Sequence, residues 1–220
     1  MNSDRIVFCD FDGTITNCDS FVKMLEEFAP KSSQQILSLI YDRTLTLKEG
    51  VQQLLNSIES DRYQQIIDST ASLSIRPGFL ELLDFLACHQ IPLIVVSGGL
   101  RGMVEAVLQR QIDGQPLSEK VTAIYATDID FSGKYLQGYS AIDSDCELVA
   151  KAKIMAQYRA CQTIAIGDSV TDISMALKAD LVFARDRLIT YLEAENKPYI
   201  PWNDFFDVRD YLKGQGIGNW

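Results

Sequence analysis

The 220-residue chain has a single histidine, His89, so any mechanism that needs two histidines is excluded. Its five cysteines (Cys9, Cys18, Cys88, Cys146, Cys161) are scattered and form no CxxC pair. An odd, dispersed set fits reduced thiols in a cytoplasmic setting better than a disulfide framework. No long hydrophobic run opens the sequence: only about six apolar-leaning residues precede Asp10 and Asp12, too few for an export signal or a membrane span. Positive charge is also short. Lys plus Arg is 20 against 30 for Asp plus Glu, a formal net charge of -10. Nucleic acid and anionic membrane both ask for a basic face, so neither is expected as a partner. What remains is ordinary globular material, 47% hydrophobic and 23% charged, enough for one large domain or a core with one insert. There is no internal repeat and no low-complexity segment. The sequence leaves monomer and homodimer equally open.

Short β-rich runs alternate with helical patterns. Arg5 to Phe11, Ile91 to Val96, Thr163 to Ile166 and Leu181 to Phe183 read as buried strands. Phe79, Leu82, Leu83 and Leu86 follow helical spacing; Leu100, Met103, Val104, Val107 and Leu108 nearly do. This alternation predicts an α/β fold, a doubly wound, mostly parallel, Rossmann-like sheet in three layers. Val121 to Ser140 predicts instead a hairpin around Ser132-Gly133 on the sheet edge.

Residues 17–74 interrupt the pattern. Phe21, Met24, Leu25 and Phe28 make one helical stripe, Ile36, Leu37 and Ile40 a second, and Leu47, Val51, Leu54, Leu55 and Ile58 a third. Thr46 with Glu49 three residues on forms a capping box. A helical cap over 17–74, inserted after the first strand, is therefore expected in a core formed by 1–16 and 75–220. Arg76-Pro77-Gly78 marks the return to that core.

Four segments carry chemistry. The first is Asp10-Phe11-Asp12-Gly13-Thr14 at a strand end. Asp10 and Asp12 point the same way in an extended chain, and two adjacent carboxylates need a cation or a proton. A hard ion such as Mg²⁺ takes oxygen ligands, and Gly13 permits a sharp turn that frees backbone N–H groups for an anion. The second is Ser97-Gly98-Gly99 before a helix, suited to phosphate, although Ser97 reads equally well as an N-cap. The third is Gly167-Asp168-Ser169-Val170-Thr171-Asp172, where strand-end carboxylates face the ligand crevice of an α/β sheet or simply favour a helix N-terminus. The fourth is a lysine, Lys151 or Lys153. The two stand ~200° apart on a helix, so both cannot face one site.

In this order the four segments resemble the haloacid dehalogenase-like phosphatases over essentially the whole chain, and the helical insert resembles the cap of their phosphoserine-phosphatase-like branch. Thr44-Leu45-Thr46-Leu47-Lys48-Glu49-Gly50 and Phe183-Ala184-Arg185-Asp186 extend the resemblance to a methionine-salvage branch. It implies an Mg²⁺-dependent phosphomonoesterase acting on a small phosphorylated metabolite. It further implies Asp10 as nucleophile, Asp12 as acid and base, and Lys151 as the neutralising cation, since Lys151-Ala152-Lys153-Ile154 resembles a Lys-Gly-x-Val pattern when Lys151 is first. Ser97 and Gly98 would hold phosphate. Asp10, the Asp12 carbonyl and Asp168 would ligate Mg²⁺, with Asp172 in support.

Two departures bear on the substrate. In the phosphoserine branch a glutamate commonly stands nine residues after the nucleophile; here it is Asp19, which could meet an ammonium. The cap segment offers Gln52 and Gln53 where an arginine is expected, with only Arg43 to compensate. Phe21, Met24 and Leu25 could instead line an apolar pocket. Of the other residues, His89 is expected exposed at a helix end, Cys9 in the core, and Tyr125, Tyr135 and Tyr139 in packing. Trp202, Phe205 and Phe206 are expected on the apolar face of a terminal helix.

Overall fold

The computed structural model describes residues 2–70, 72–112 and 114–215. Strand β1 (Asn2–Cys9) is followed by helices α1 (Ser20–Phe28), α2 (Pro30–Tyr41), α3 (Leu47–Leu55) and α4 (Tyr63–Thr70). Next come α5 (Phe79–Cys88), β2 (Leu93–Leu100), α6 (Arg101–Leu108), the short pair β3 (Gln111–Ile112) and β4 (Gln115–Pro116), β5 (Ala123–Asp130) and β6 (Gln137–Tyr139). The chain finishes with α7 (Lys151–Met155), β7 (Arg159–Gly167), α8 (Ile173–Lys178), β8 (Leu181–Ala184), α9 (Asp186–Ala194), β9 (Ile200–Pro201) and α10 (Phe205–Gly214).

Seven strands form one sheet in the order β6-β5-β2-β1-β7-β8-β9. All pairings are parallel except that of β5 with β6, the expected edge hairpin. The sheet is covered on both faces, which is why its strands read as unbroken apolar runs. In β1, Ile6 and Phe8 enter one hydrophobic cluster while Val7 and Cys9 enter the other. The first cluster takes side chains from α1 to α4, α8 and α9; the second takes them from α5 and α10. Fully burying a side chain such as Phe8 contributes about 1.5–3 kcal/mol. Strand β1 lies between β2 and β7, so the winding direction changes there, and ligands of such sheets bind beyond the strand ends at that switch point. No helix among the described residues is long and apolar enough to cross a membrane.

The helical insertion leaves and rejoins the core through one narrow neck. Thr16 bridges Ile75 antiparallel, Asn17 N–H donates to Ser74 O at 3.0 Å, and Arg76 N–H donates to Ile15 O at 2.8 Å. The capping box at α3 is formed in both directions between Thr46 and Glu49. The sequence pattern did not mark α4, because only Ile66 and Thr70 of that helix are buried and they leave no continuous stripe. Besides the neck, the insertion rests on the core at several places: Leu136 N–H donates to Ile58 O at 3.0 Å, Lys48 N–H donates to Cys146 O at 2.8 Å, and the Tyr191 hydroxyl donates to Tyr41 O at 2.9 Å.

Some expectations of packing need correction. Tyr135 and Tyr139 are exposed on the edge hairpin, and only Tyr125 is partly covered, with its hydroxyl 2.9 Å from that of Tyr158. Trp202 is buried but precedes α10, standing against Phe205. His89 is half-buried, its ring against Phe85 and its Nδ1 2.7 Å from Phe85 O.

Candidate active site

The carboxyl ends of β1, β2 and β7 converge on one cleft. Asp10 follows β1 directly and is buried. Its Oδ1 accepts a 2.6 Å hydrogen bond from Lys151 Nζ, while its Oδ2 is buried without a partner. Lys151 opens α7 with its side chain 1% exposed, and the same ammonium donates to Asp172 Oδ1 at 2.6 Å. Lys153 is exposed and donates instead to Asp143 O at 2.9 Å, so two positions along the helix separate a buried cation from a surface one on the opposite face. Asp172 is held from its other side, where Oδ2 accepts from the N–H groups of Asp168 and Ser169 at 2.9 and 3.1 Å.

Burial, and after it the Asp172 carboxylate, push the Asp10 carboxyl well above the usual carboxylate range; Lys151 pulls the other way. Asp168 is raised in the same direction by burial, then by Asp10 and Asp172. Burial disfavours the Lys151 charge, but Asp10 and Asp172 outweigh it and raise that pKa above an ordinary lysine. The carboxylate oxygens of Asp10, Asp168 and Asp172 lie within 4.8 Å of one another. Three buried carboxylates against one lysine are an unbalanced set, and oxygen donors this close, one of them unpartnered, fit a hard divalent cation.

The Asp12 carboxylate stands outside that group. Its oxygens accept hydrogen bonds from Ser20 Oγ and, at 3.1 Å, from Ser97 Oγ. Burial raises the Asp12 pKa, and these hydroxyls lower it in part. The metal expectation for Asp12 used its main-chain carbonyl, which leaves the side chain free for proton transfer. Ser97 lies inside β2, with Leu100 at the N-cap of α6, so the alternative reading of Ser97 as the N-cap is overturned. Its Oγ accepts from Gly99 N–H at 2.9 Å as it donates to Asp12. Gly98 lines the cleft and its carbonyl accepts from Thr127 Oγ1 at 2.9 Å. Gly13 turns the chain at φ +77°, and a Cβ there would meet Asp168 Oδ2 at 2.3 Å.

Asp19 caps α1, accepting from Val22 N–H at 2.9 Å, and lines the cleft. Burial, then the nearby Asp12 charge, push its carboxyl up to about 7. One stretch of the wall is apolar, Phe21, Leu47 and Val51 from the insertion and Leu148 and Val149 from the core; Glu147, Ser169 and Thr171 complete the lining. Met24 and Leu25, expected in this wall, are buried in the core beneath it. Arg43 is exposed at φ +58° and does not line the cleft, where Lys151 is the only cation among the described residues. Sequence reasoning missed Ser20, and within the first segment it assigned no role to Thr14, whose Oγ1 donates to Asp168 Oδ1 at 3.2 Å; a lone hydroxyl carries no distinct pattern.

Comparison with known proteins agrees with this geometry. The family model of haloacid dehalogenase-like hydrolases matches residues 7–177. A 2-hydroxy-3-keto-5-methylthiopentenyl-1-phosphate phosphatase from Microcystis aeruginosa (strain NIES-843 / IAM M-2473) is 57% identical over 208 residues, covering 94% of this chain and 97% of its own. The protein of the same name from Bacillus cereus (strain ATCC 10987 / NRS 248) is 35% identical over 215 residues, covering 94% and 95%. The crystal structure of a phosphoserine phosphatase from T. onnurineus superposes with a TM-score of 0.73 at 17% identity, over 96% of this chain and 95% of that one. The chain belongs to the haloacid dehalogenase-like hydrolases.

Proposed function

We propose that the protein is an Mg²⁺-dependent phosphomonoesterase that works through an aspartyl-phosphate on Asp10. The observation that carries this reading is the Asp10 side chain, which lines the cleft with Oδ1 pinned by Lys151 and Oδ2 buried and unpartnered. An Asp10 oxygen attacks phosphorus and the phosphorus–oxygen ester bond breaks. Asp12 gives its proton to the leaving alkoxide, then takes a proton from the water that attacks the phosphorylated Asp10. Inorganic phosphate leaves and the Asp10 carboxylate is restored. The raised Asp12 pKa suits an acid that must be protonated in the first half and a base in the second. Ser97 aims the Asp12 carboxyl, and Lys151 offsets negative charge on Asp10 and the phosphoryl group. Asp10, the Asp12 carbonyl and Asp168, with Asp172 in support, would hold magnesium, which would supply electrostatic neutralisation of the phosphoryl charge.

The substrate we infer is 2-hydroxy-3-keto-5-methylthiopentenyl-1-phosphate, in methionine salvage. The 57% identical relative carries that name, and the far wall of the cleft suits a methylthio tail. Residues 17–74 act as a cap domain that supplies Phe21, Leu47 and Val51, three of the five apolar residues of this wall. A buried substrate carboxylate would need a paired cation, and Lys151 is already held by two carboxylates. Phosphoserine is therefore the weaker alternative.

Phosphate release by the purified protein, measured over a panel containing both substrates with Mg²⁺, tests the reading. Wild-type protein should turn over the methylthio ester, and a folded Asp10→Asn variant should not. Near-wild-type activity in that variant would overturn the mechanism.

A further inference from the structure

Arg76 is buried, 8% exposed, in the neck that joins the insertion to the core. It makes no ion pair among the described residues, although a buried charge ordinarily finds one. Its guanidinium is spent on main-chain carbonyls. Nε donates to Thr14 O at 2.8 Å, Nη2 to Gly13 O and, at 3.2 Å, to Thr16 O, and Nη1 to Asn203 O at 3.4 Å. Its own N–H donates to Ile15 O at 2.8 Å. Four consecutive carbonyls of the loop after Asp12 are thus held by one residue. The Trp202 indole packs over the guanidinium, 5.4 Å from its carbon to the ring centroid.

The held loop is in direct contact with the reacting groups. Gly13 runs against Asp168, where a Cβ would meet Oδ2 at 2.3 Å. Thr14, bound to Arg76 through its carbonyl, donates its hydroxyl to Asp168 Oδ1 at 3.2 Å. We propose that Arg76 is a positioning residue for the reaction, a clamp that fixes the Gly13–Thr16 turn and, through it, the relative placement of Asp12 and Asp168. The geometry explains why arginine stands here. A planar fork with five donors spans several carbonyls in one orientation, and a lysine ammonium cannot. The cationic donor also forms stronger bonds to those carbonyls than a neutral one would. Because the same residue belongs to the neck, the insertion is anchored to the catalytic turn itself.

The kinetic half of the proposal rests on the phosphatase reading; the clamp does not. Two variants, Arg76→Lys and Arg76→Ala, are compared with wild type for thermal unfolding, for kcat and KM with Mg²⁺, and for amide hydrogen exchange of a peptide spanning 11–17. Arg76→Lys is expected to fold, to lose about tenfold in kcat with KM nearly unchanged, and to exchange faster at 11–17 while β1 stays protected. Arg76→Ala should lose about 10²-fold, and added methylguanidinium should restore part of it. Wild-type kcat in folded variants, a loss confined to KM, or unaltered exchange at 11–17 would each overturn the clamp. Failure of both variants to fold would overturn it too, assigning Arg76 to the fold alone. If wild type releases no phosphate from any monoester, the phosphatase reading fails, and the exchange measurement still decides the clamp.

Discussion

Lys151 and Asp10 lie 141 positions apart in the chain and 2.6 Å apart in space, both shut off from solvent. Removing the cation leaves Asp10 and Asp172 buried without it, and breaking a buried pair costs about 3–5 kcal/mol. Lys151→Met should therefore unfold at lower temperature and lose activity by a factor on the order of 10²–10³. Lys153→Met removes only a surface contact to the Asp143 carbonyl and should keep both properties. A severe loss in the second variant with a silent first would reverse the assignment.

Divalent cation should be indispensable. The oxygen set of Asp10, Asp168 and Asp172 is compact, within 4.8 Å, and purely oxygen. Excess chelator is expected to abolish phosphate release and Mg²⁺ to restore it. Ca²⁺ takes more oxygens at longer distance, and can claim both Asp10 oxygens where attack needs one free. It should bind and inhibit. Full turnover in excess chelator, or Ca²⁺ supporting the Mg²⁺ rate, would remove the metal from the mechanism.

Much of this was legible in the sequence because α/β sheets gather function at strand ends. Asp10, Ser97 and Asp168 each stand at or near the carboxyl end of an apolar run, so reading the strands was enough to bring them to one end of the sheet. Capping chemistry made the start of α3 equally plain at Thr46 and Glu49. What failed was anything decided by tertiary contact. Met24 shares a helical stripe with Phe21, yet only Phe21 reaches the cleft, because the stripe runs down into the core. Leu148 and Val149 sit in a loop without periodicity, and nothing local marks them as wall. Arg76 reads as punctuation beside Pro77 and Gly78; its role needs Gly13–Thr16, some sixty positions earlier, folded against it.

The Ser97-Gly98-Gly99 turn separates two glycine requirements. A Cβ on Gly99 would stand 2.3 Å from Asp12 Oδ2 and 3.2 Å from Ser97 Oγ, whereas one on Gly98 would meet only Thr171, at 3.8 Å. Gly99→Ala must displace the Asp12 carboxylate. A shift near 1 Å costs about 10²-fold in rate, so kcat should fall by that order in a folded protein. Gly98→Ala should be much milder. The reverse ranking would mean that Asp12 is not held where its proton is needed.

Asp19 should leave a signature in the pH dependence of stability. Its folded pKa is raised to about 7, from an ordinary value near 4. A carboxyl raised on folding binds its proton more tightly in the native state. Its contribution is therefore greatest below about pH 4, declines as pH rises, and levels off above about pH 7. Asparagine is an equally good N-cap and keeps the bond to Val22 N–H. Asp19→Asn should thus flatten the fall of melting temperature between about pH 4 and 7, measured without divalent cation for both proteins. Parallel curves for the two would show that Asp19 titrates normally.

The apolar wall should decide the substrate. At the reacting end every phosphomonoester meets the same Asp10, Lys151 and Ser97, so discrimination has to arise at the rest of the lining, whose apolar stretch is Phe21, Leu47, Val51, Leu148 and Val149. Burying a methylene there contributes about 0.8 kcal/mol, while Asp19 could meet an ammonium but burying a carboxylate without a partner costs several. The expected order is a kcat/KM for the methylthio ester at least about 10²-fold above that for phosphoserine, a difference of about 2.7 kcal/mol. Leu47→Ala removes three carbons from the wall, about 2 kcal/mol of contact, and should lower kcat/KM for the methylthio ester about 30-fold. Methyl phosphate cannot reach that wall, so its turnover should hold in the same variant. The two substrates must be assayed on one preparation of each protein. If Leu47→Ala weakens both esters equally, the residue shapes the whole cleft rather than reading the tail. If phosphoserine is hydrolysed as well as the methylthio ester, the wall does not select, and only the phosphatase activity stands.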